Sequence, residues 1–186
     1  MKSIDIATMK KTLPGIKKGV EKYIDIMAWV HSCNVSQVAD FQKKFNGYYR
    51  IRQRPSDFYQ AYYDYMELKK GSPLSFEDVL VHLHELTSRH EPSFASKLLA
   101  TINPDKPVWD VNVLSNLSIK PPRYYAKNRL VEIVSTYGVL ENWFDDYLKT
   151  QNALNVICLF DEIYPNLEIT AVKKIDFALW SLGEKK

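Results

Sequence analysis

Apolar positions recur at spacings of three and four along most of the chain, the period of a helix that buries one face. Ile16, Val20, Tyr23, Met27 and Val30 make one such stripe, and Leu130, Ile133, Val134, Tyr137, Leu140, Phe144 and Leu148 make a longer one. Phe58, Tyr62, Tyr65, Met66 and Lys69 outline a third helix, opened by Pro55-Ser56-Asp57, a helix-starting signal. Ser75-Phe76-Glu77-Asp78 has the capping-box pattern ahead of Val79, Leu80 and Leu83. Val172, Ile175 and Leu179 predict a last helix after the Pro165-Asn166 turn. Alternation with period two is confined to brief ambiguous runs near Val108–Val113. The pattern predicts an all-α, multi-helix protein of about eight to ten helices, each roughly 8–20 residues long.

Breaks fall at 70–74, 103–107 and 118–123, where Gly, Ser, Asn and Pro interrupt the periodicity. Pro121-Pro122 is the sharpest of them. One all-α domain over residues 1–186 is expected, with two lobes as an option: residues 1–54 with 123–186, and 55–122.

Composition narrows the function classes. The chain has 186 residues, 46% hydrophobic and 25% charged, an ordinary balance for a globular protein with a core. It has only six glycines, and neither a Gly-x-x-x-x-Gly-Lys-Ser/Thr nor a Gly-x-Gly-x-x-Gly phosphate cradle. No Gly-x-Ser-x-Gly elbow occurs. His82 and His84 are two apart and would point to different sides of a helix, while His31 and His90 stand apart in sequence, so no metal and no cofactor is expected. Cys33 and Cys158 form no Cys-x-x-Cys pair and read as two buried thiols. No apolar run approaches a membrane span and no signal-peptide core opens the chain, so a soluble, cytoplasmic protein is expected.

Charge adds a direction. Residues 1–130 carry 20 Lys/Arg against 13 Asp/Glu, and residues 131–186 carry 5 against 9. The excess gathers in two clusters interleaved with aromatics. One is Lys43, Lys44, Phe45, Tyr48, Tyr49, Arg50, Arg52 and Arg54; the other is Lys120, Arg123, Tyr124, Tyr125, Lys127 and Arg129. Cationic groups neutralise phosphates, and tyrosines stack bases or bond phosphate oxygens. The plainer alternative is that the tyrosines pack inward and the cations are simply solvated. Asp110 has the same double character. It stands behind Pro107, Val108 and Trp109 at the start of a predicted helix, where it can cap free amides. It can also be an acid kept ionised by the helix N-terminus for chemistry on a developing positive charge.

The stretch from Ser93 to Asp110 (helix, proline turn, apolar-aromatic pair, Asp, helix) resembles the signature of the helix-hairpin-helix DNA glycosylases, the superfamily of the endonuclease III, adenine glycosylase and 8-oxoguanine glycosylase branches. Ala95 and Asp110 take the positions of its early Ala and its catalytic Asp, and the likeness covers mainly residues 88–117. The closing Val172–Trp180 segment looks similar to the tails of uncharacterised bacterial relatives of the 8-oxoguanine glycosylase fold. The resemblance implies a flipped nucleotide and an Asp that steadies an oxocarbenium-like sugar and orients water. Ser93 stands where bifunctional members keep a Schiff-base lysine, so the implied enzyme is a monofunctional DNA N-glycosylase without lyase activity. Arg89-His90-Glu91-Pro92 replaces the Gly-x-Gly hairpin whose amides hold a phosphate; Pro92 lacks an amide hydrogen and Glu91 would repel the anion. Asn112 replaces a frequent His, and two cysteines cannot form the four-cysteine iron–sulfur site.

The expected partner is therefore double-stranded, damaged DNA, with Asp110 catalytic. Arg50, Arg52, Arg54, Arg123, Tyr124 and Lys127 are candidate DNA contacts, and Trp109 is expected near the base pocket. A non-catalytic DNA-binding module on the same scaffold, and a helical interaction domain with no nucleic-acid role, are the alternatives.

Overall fold

The computed structural model describes residues 3–183. Among them are ten α-helices, one 3-10 turn and no strand, so the protein is all-α. No described helix is long and apolar enough to cross a membrane. The described residues form two compact units: residues 18–103, and residues 3–17 with 104–183.

The continuous unit holds α2 (Lys17–Val30), α3 (Ala39–Tyr49), α4 (Ser56–Lys69), α5 (Phe76–Thr87) and α6 (Pro92–Ile102). The predicted starts of α4 and α5 are where the sequence puts them. Asp78 N donates to Ser75 Oγ at 3.1 Å and Ser75 N to the Asp78 carboxylate at 3.0 Å, a closed capping box. The core is aromatic: Phe41, Phe45, Phe58, Tyr62 and Tyr63 are buried in mutual ring contact. The tyrosine hydroxyls are satisfied, Tyr62 donating to the Phe94 carbonyl at 3.0 Å and Tyr63 to Asn46 Oδ1 at 2.8 Å. On α2 the buried position is Ile26 rather than the predicted Met27, which is half-buried. The two neighbours differ by one helical step, and packing selects between them.

The second unit is built from both ends of the chain: α1 (Ile6–Thr12), a 3-10 turn (Leu13–Ile16), α7 (Val111–Asn116), α8 (Arg129–Tyr147), α9 (Gln151–Ile163) and α10 (Ala171–Leu182). Helix α10 is its hub, packed against α1, the 3-10 turn, α7 and α9. Contact on so many sides explains why buried residues run all round it, from Val172 and Ile175 to Phe177, Ala178 and Leu179. Asn152 clamps the N-terminal segment, accepting from Ile4 N at 2.8 Å and donating to Ile4 O at 3.1 Å. The Tyr164 hydroxyl donates to Leu13 O at 2.6 Å.

The boundary between units falls at Asn103–Pro104, not at the expected Pro121-Pro122. Side chains of the second unit take hold of the chain just past Asn103. Thr170 Oγ1 donates to Pro104 O at 2.8 Å, Lys106 pairs with Glu141 at 2.8 Å, and Tyr137 donates to Pro107 O at 2.8 Å. The lobe limits 1–54 with 123–186, and 55–122, are thereby corrected. The cysteines also differ from expectation: Cys33 is half-buried and Cys158 exposed, and both are free.

Candidate functional site

Asp110 is the N-cap of α7. Its backbone is extended, with φ −117° and ψ 143°, and its Oδ1 accepts from Asn112 N at 2.8 Å. The approach to it is rigid: Tyr137 pins the Pro107 carbonyl, and Val108 and Trp109 are in the core. Trp109 is only 6% exposed, so it supplies packing area here and not the open wall of a base pocket. Asn112 lies against Gly183 so closely that a Cβ there would stand 2.6 Å from Asn112 Cβ. Glycine at 183 is thus what lets α7 approach the end of α10.

A buried ion pair on α10 senses Asp110. Lys173 Nζ bonds Asp176 Oδ2 at 2.6 Å, and both residues are 6% exposed. Burial pushes the Asp176 carboxyl up from its ordinary value, the Lys173 ammonium pulls it back, and the Asp110 carboxylate adds to the rise. Of these three charged groups Lys173 and Asp176 are buried, and Asp110 is half-buried. Sequence reading missed Lys173 and Asp176 because charged residues usually mark the solvated face of a helix. The signal that could have found them is the spread of Val172, Ile175, Phe177, Ala178 and Leu179, which leaves α10 no polar side.

Between α7 and α8 the chain makes the second basic-aromatic cluster. Helix α7 ends in a Schellman motif: Ser118 is left-handed at φ 60°, Ile119 N donates to Leu114 O at 2.9 Å and Ser118 N to Ser115 O at 3.0 Å. Pro121 and Pro122 then cannot extend a helix. Arg129 braces the segment from the first residue of α8, donating through Nη1 to Arg123 O at 2.6 Å and Pro122 O at 3.2 Å. Its guanidinium lies 5.1 Å from the Tyr124 ring centroid. Lys120, Arg123 and Lys127 are exposed, and Tyr124 and Tyr125 are 81% and 79% exposed. No carboxylate occurs between Asp110 and Glu132, while that stretch holds Lys120, Arg123, Lys127 and Arg129.

The first cluster, in the other unit, is dispersed by folding. Phe45 and Tyr49 are buried, as the inward-packing alternative required. Lys44 faces Asp25 at 3.6 Å and stands 4.6 Å from the Trp29 ring centroid. Arg50, left-handed at φ 54° as the C-cap of α3, and Arg52 are exposed. Arg54 is already engaged: its Nη2 bonds Glu91 at 2.6 Å and its guanidinium lies 5.0 Å from the Phe94 ring centroid. The same pair cancels the charge by which Glu91 was expected to repel an anion. Ser93 is half-buried in the first turn of α6, and the one lysine of that helix, Lys97, donates to Tyr49 O at 2.9 Å.

Histidines separate as their spacing implies. His82 stacks on Tyr65 with centroids 3.8 Å apart, and His84 on His90 at 4.3 Å, although His90 lies beyond the end of the helix that carries His84. Burial lowers the His82 pKa. Among the described residues no group of three or more His, Cys, Asp or Glu is placed to hold a metal ion. Compared with known proteins, the chain matches no family model, no curated protein and no solved structure.

Proposed function

We propose that the protein binds DNA through the segment between α7 and α8, and that it is a glycosylase-like protein in which Asp110 carries base excision. The observation behind the binding reading is the stretch between Asp110 and Glu132: four cations, no carboxylate, and two tyrosines left in water. Such a surface lowers its own repulsion when it displaces counterions from phosphates. Arg123, Lys127 and Tyr124 are the side chains that meet the DNA. This reading leaves out Arg54, which is paired with Glu91, and Trp109, which is buried. Arg50 and Arg52, exposed in the other unit, remain secondary candidates.

Fluorescence anisotropy with a labelled duplex tests this directly. Replacing Lys120, Arg123 and Lys127 together by Ala should weaken binding and reduce the log–log salt slope by about one for each phosphate that is no longer neutralised. Binding that ignores salt would count against the reading.

For catalysis, Asp110 can be a cap and an acid at once, and one substitution separates the roles. Asn caps a helix about as well as Asp. Asp110→Asn should therefore keep the melting temperature while abolishing base release from a damaged duplex. The mechanism follows from the residue's chemistry: the carboxylate stabilises positive charge growing on the sugar as the base departs and orients the attacking water. With Ser93 in place of an amine nucleophile, no strand cleavage by β-elimination is expected. If wild type and Asp110→Asn release no base from any lesion tried, the enzymatic reading falls and the binding reading stands.

A further inference from the structure

The two tyrosines of the basic segment are the most exposed large side chains with apolar surface among the described residues. An aromatic ring left in water needs a reason, because most such rings find cover. The segment is not a loose tether. A Schellman turn sets its start, Ala126 N closes a turn on Arg123 O at 3.1 Å, and Arg129 ties Pro122 and Arg123 to the head of α8. The Arg129 guanidinium sits 5.1 Å from the Tyr124 ring centroid and still leaves that ring 81% exposed. Flat, polarised rings are thus presented on a braced frame and flanked by Lys120, Arg123 and Lys127.

We propose that Tyr124 and Tyr125 form a stacking platform for unpaired bases, so that the DNA this segment takes is single-stranded or carries an unpaired stretch. This rests on the DNA-binding reading above and specifies its substrate. In a duplex both faces of each base are already stacked, and an exposed ring gains nothing from them. An unpaired base offers a free π-face, stacks without regard to sequence, and brings a phosphate that the neighbouring cations can neutralise. A protein partner would need acidic side chains to match the charge, and nothing in the segment favours acidic side chains over phosphates once two flat rings are added. An anionic membrane surface is served better by aliphatic and tryptophan anchors than by two phenols.

The test uses the full chain and two labelled probes of about 15 nucleotides, oligo(dT) and a blunt duplex, in anisotropy titrations at one salt concentration. Wild type should prefer oligo(dT). Tyr124→Ala and Tyr125→Ala should each weaken oligo(dT) binding by about tenfold or more, with a clearly smaller loss on the duplex and an unchanged melting temperature. Tyr124→Phe and Tyr125→Phe should retain affinity, because the ring and not the hydroxyl does the stacking. Alanine variants that bind oligo(dT) like wild type, or that lose both probes equally, overturn the platform. If the Lys120, Arg123 and Lys127 variant then loses both probes, the DNA-binding reading survives that failure. Wild type that binds neither probe overturns both, as does binding only to phosphatidylserine vesicles.

Discussion

The chain contains the Tyr-Tyr dipeptide three times, and two of these pairs, at 62–63 and 124–125, meet opposite fates. Tyr62 and Tyr63 are fully buried on α4, in contact with Phe41, Phe45 and Phe58. Tyr124 and Tyr125 stand in water beyond a proline pair. Adjacent helical residues point about 100° apart, so both can be buried only where a helix is covered on two sides. Helix α4 packs against α5 and α6, and its tyrosines also meet the rings of α3. The second pair has no helix beneath it, because the Schellman turn and Pro121-Pro122 end one and Arg129 begins the next. Identical side chains thus serve as core in one unit and as a candidate binding surface in the other.

Substitutions sharpen this contrast most at the buried pair. Tyr62→Ala should cost about 3–5 kcal/mol, the range for deleting a large aromatic from a core, and urea unfolding will show it as a lower midpoint. Tyr124→Ala should change stability by no more than about 0.5 kcal/mol. A comparable loss at both sites would erase the distinction.

A similar contrast holds for charge. Asp176→Ala removes the carboxylate that bonds the buried Lys173 ammonium at 2.6 Å, and should cost about 3–5 kcal/mol. Replacing Lys173 and Asp176 together by Met and Leu should recover most of that in thermal melts. Asp146→Ala, which breaks the exposed pair with Lys149 at 2.9 Å, should cost less than about 1 kcal/mol.

Alkaline unfolding compares the tyrosines through their protons. Burial raises the pKa of Tyr62, Tyr63 and Tyr137, and pushes Tyr147 from 10.0 up to about 12. The folded state therefore holds these protons more tightly than the unfolded state. That contribution is complete below the unfolded value near 10, and for Tyr147 it is lost as pH rises from 10.0 to about 12. Melting temperature should fall across this range, and in spectrophotometric titration Tyr62, Tyr63 and Tyr137 should ionise only as the fold opens. Ionisation of Tyr62, Tyr63 and Tyr137 at the ordinary phenol value ahead of any unfolding would contradict the burial pattern.

A modest effect is expected at a cap. Ser75→Ala removes the bond to Asp78 N and should lower stability by about 1 kcal/mol, measurable by denaturant titration. The Asp78 carboxyl is held below its ordinary value, chiefly by the Ser75 hydroxyl and amide. Its contribution is therefore present above the unfolded value and fades as pH falls through the folded one.

Much of the fold is legible from local rules. The Ser75–Asp78 box, the Pro55 start and the α8 stripe through Ile133, Tyr137, Leu140 and Phe144 all rest on interactions within a few residues, and all are present. Asp110 as an N-cap is of the same kind. The candidate site is legible in part. That Lys120–Arg129 is basic and aromatic is plain from the chain, but its exposure is not, since the Lys43–Arg54 cluster has a similar composition and buries Phe45 and Tyr49. The Arg54–Glu91 pair had no local signal, and although a break at 103–107 and the apolar spread of α10 were visible in the chain, neither told that the units divide at Asn103–Pro104 or that Lys173 and Asp176 are buried.

Sequence by itself determined the all-α class, the helix starts and stops and the positions of the charge, because capping, proline geometry and helical period act over a single turn. Tertiary structure decided which tyrosines are core and which are surface, which cations are already paired, and that a buried ion pair lies within the electrostatic reach of Asp110. Burial and pairing depend on what other segments bring to a residue, and no neighbour in sequence carries that information.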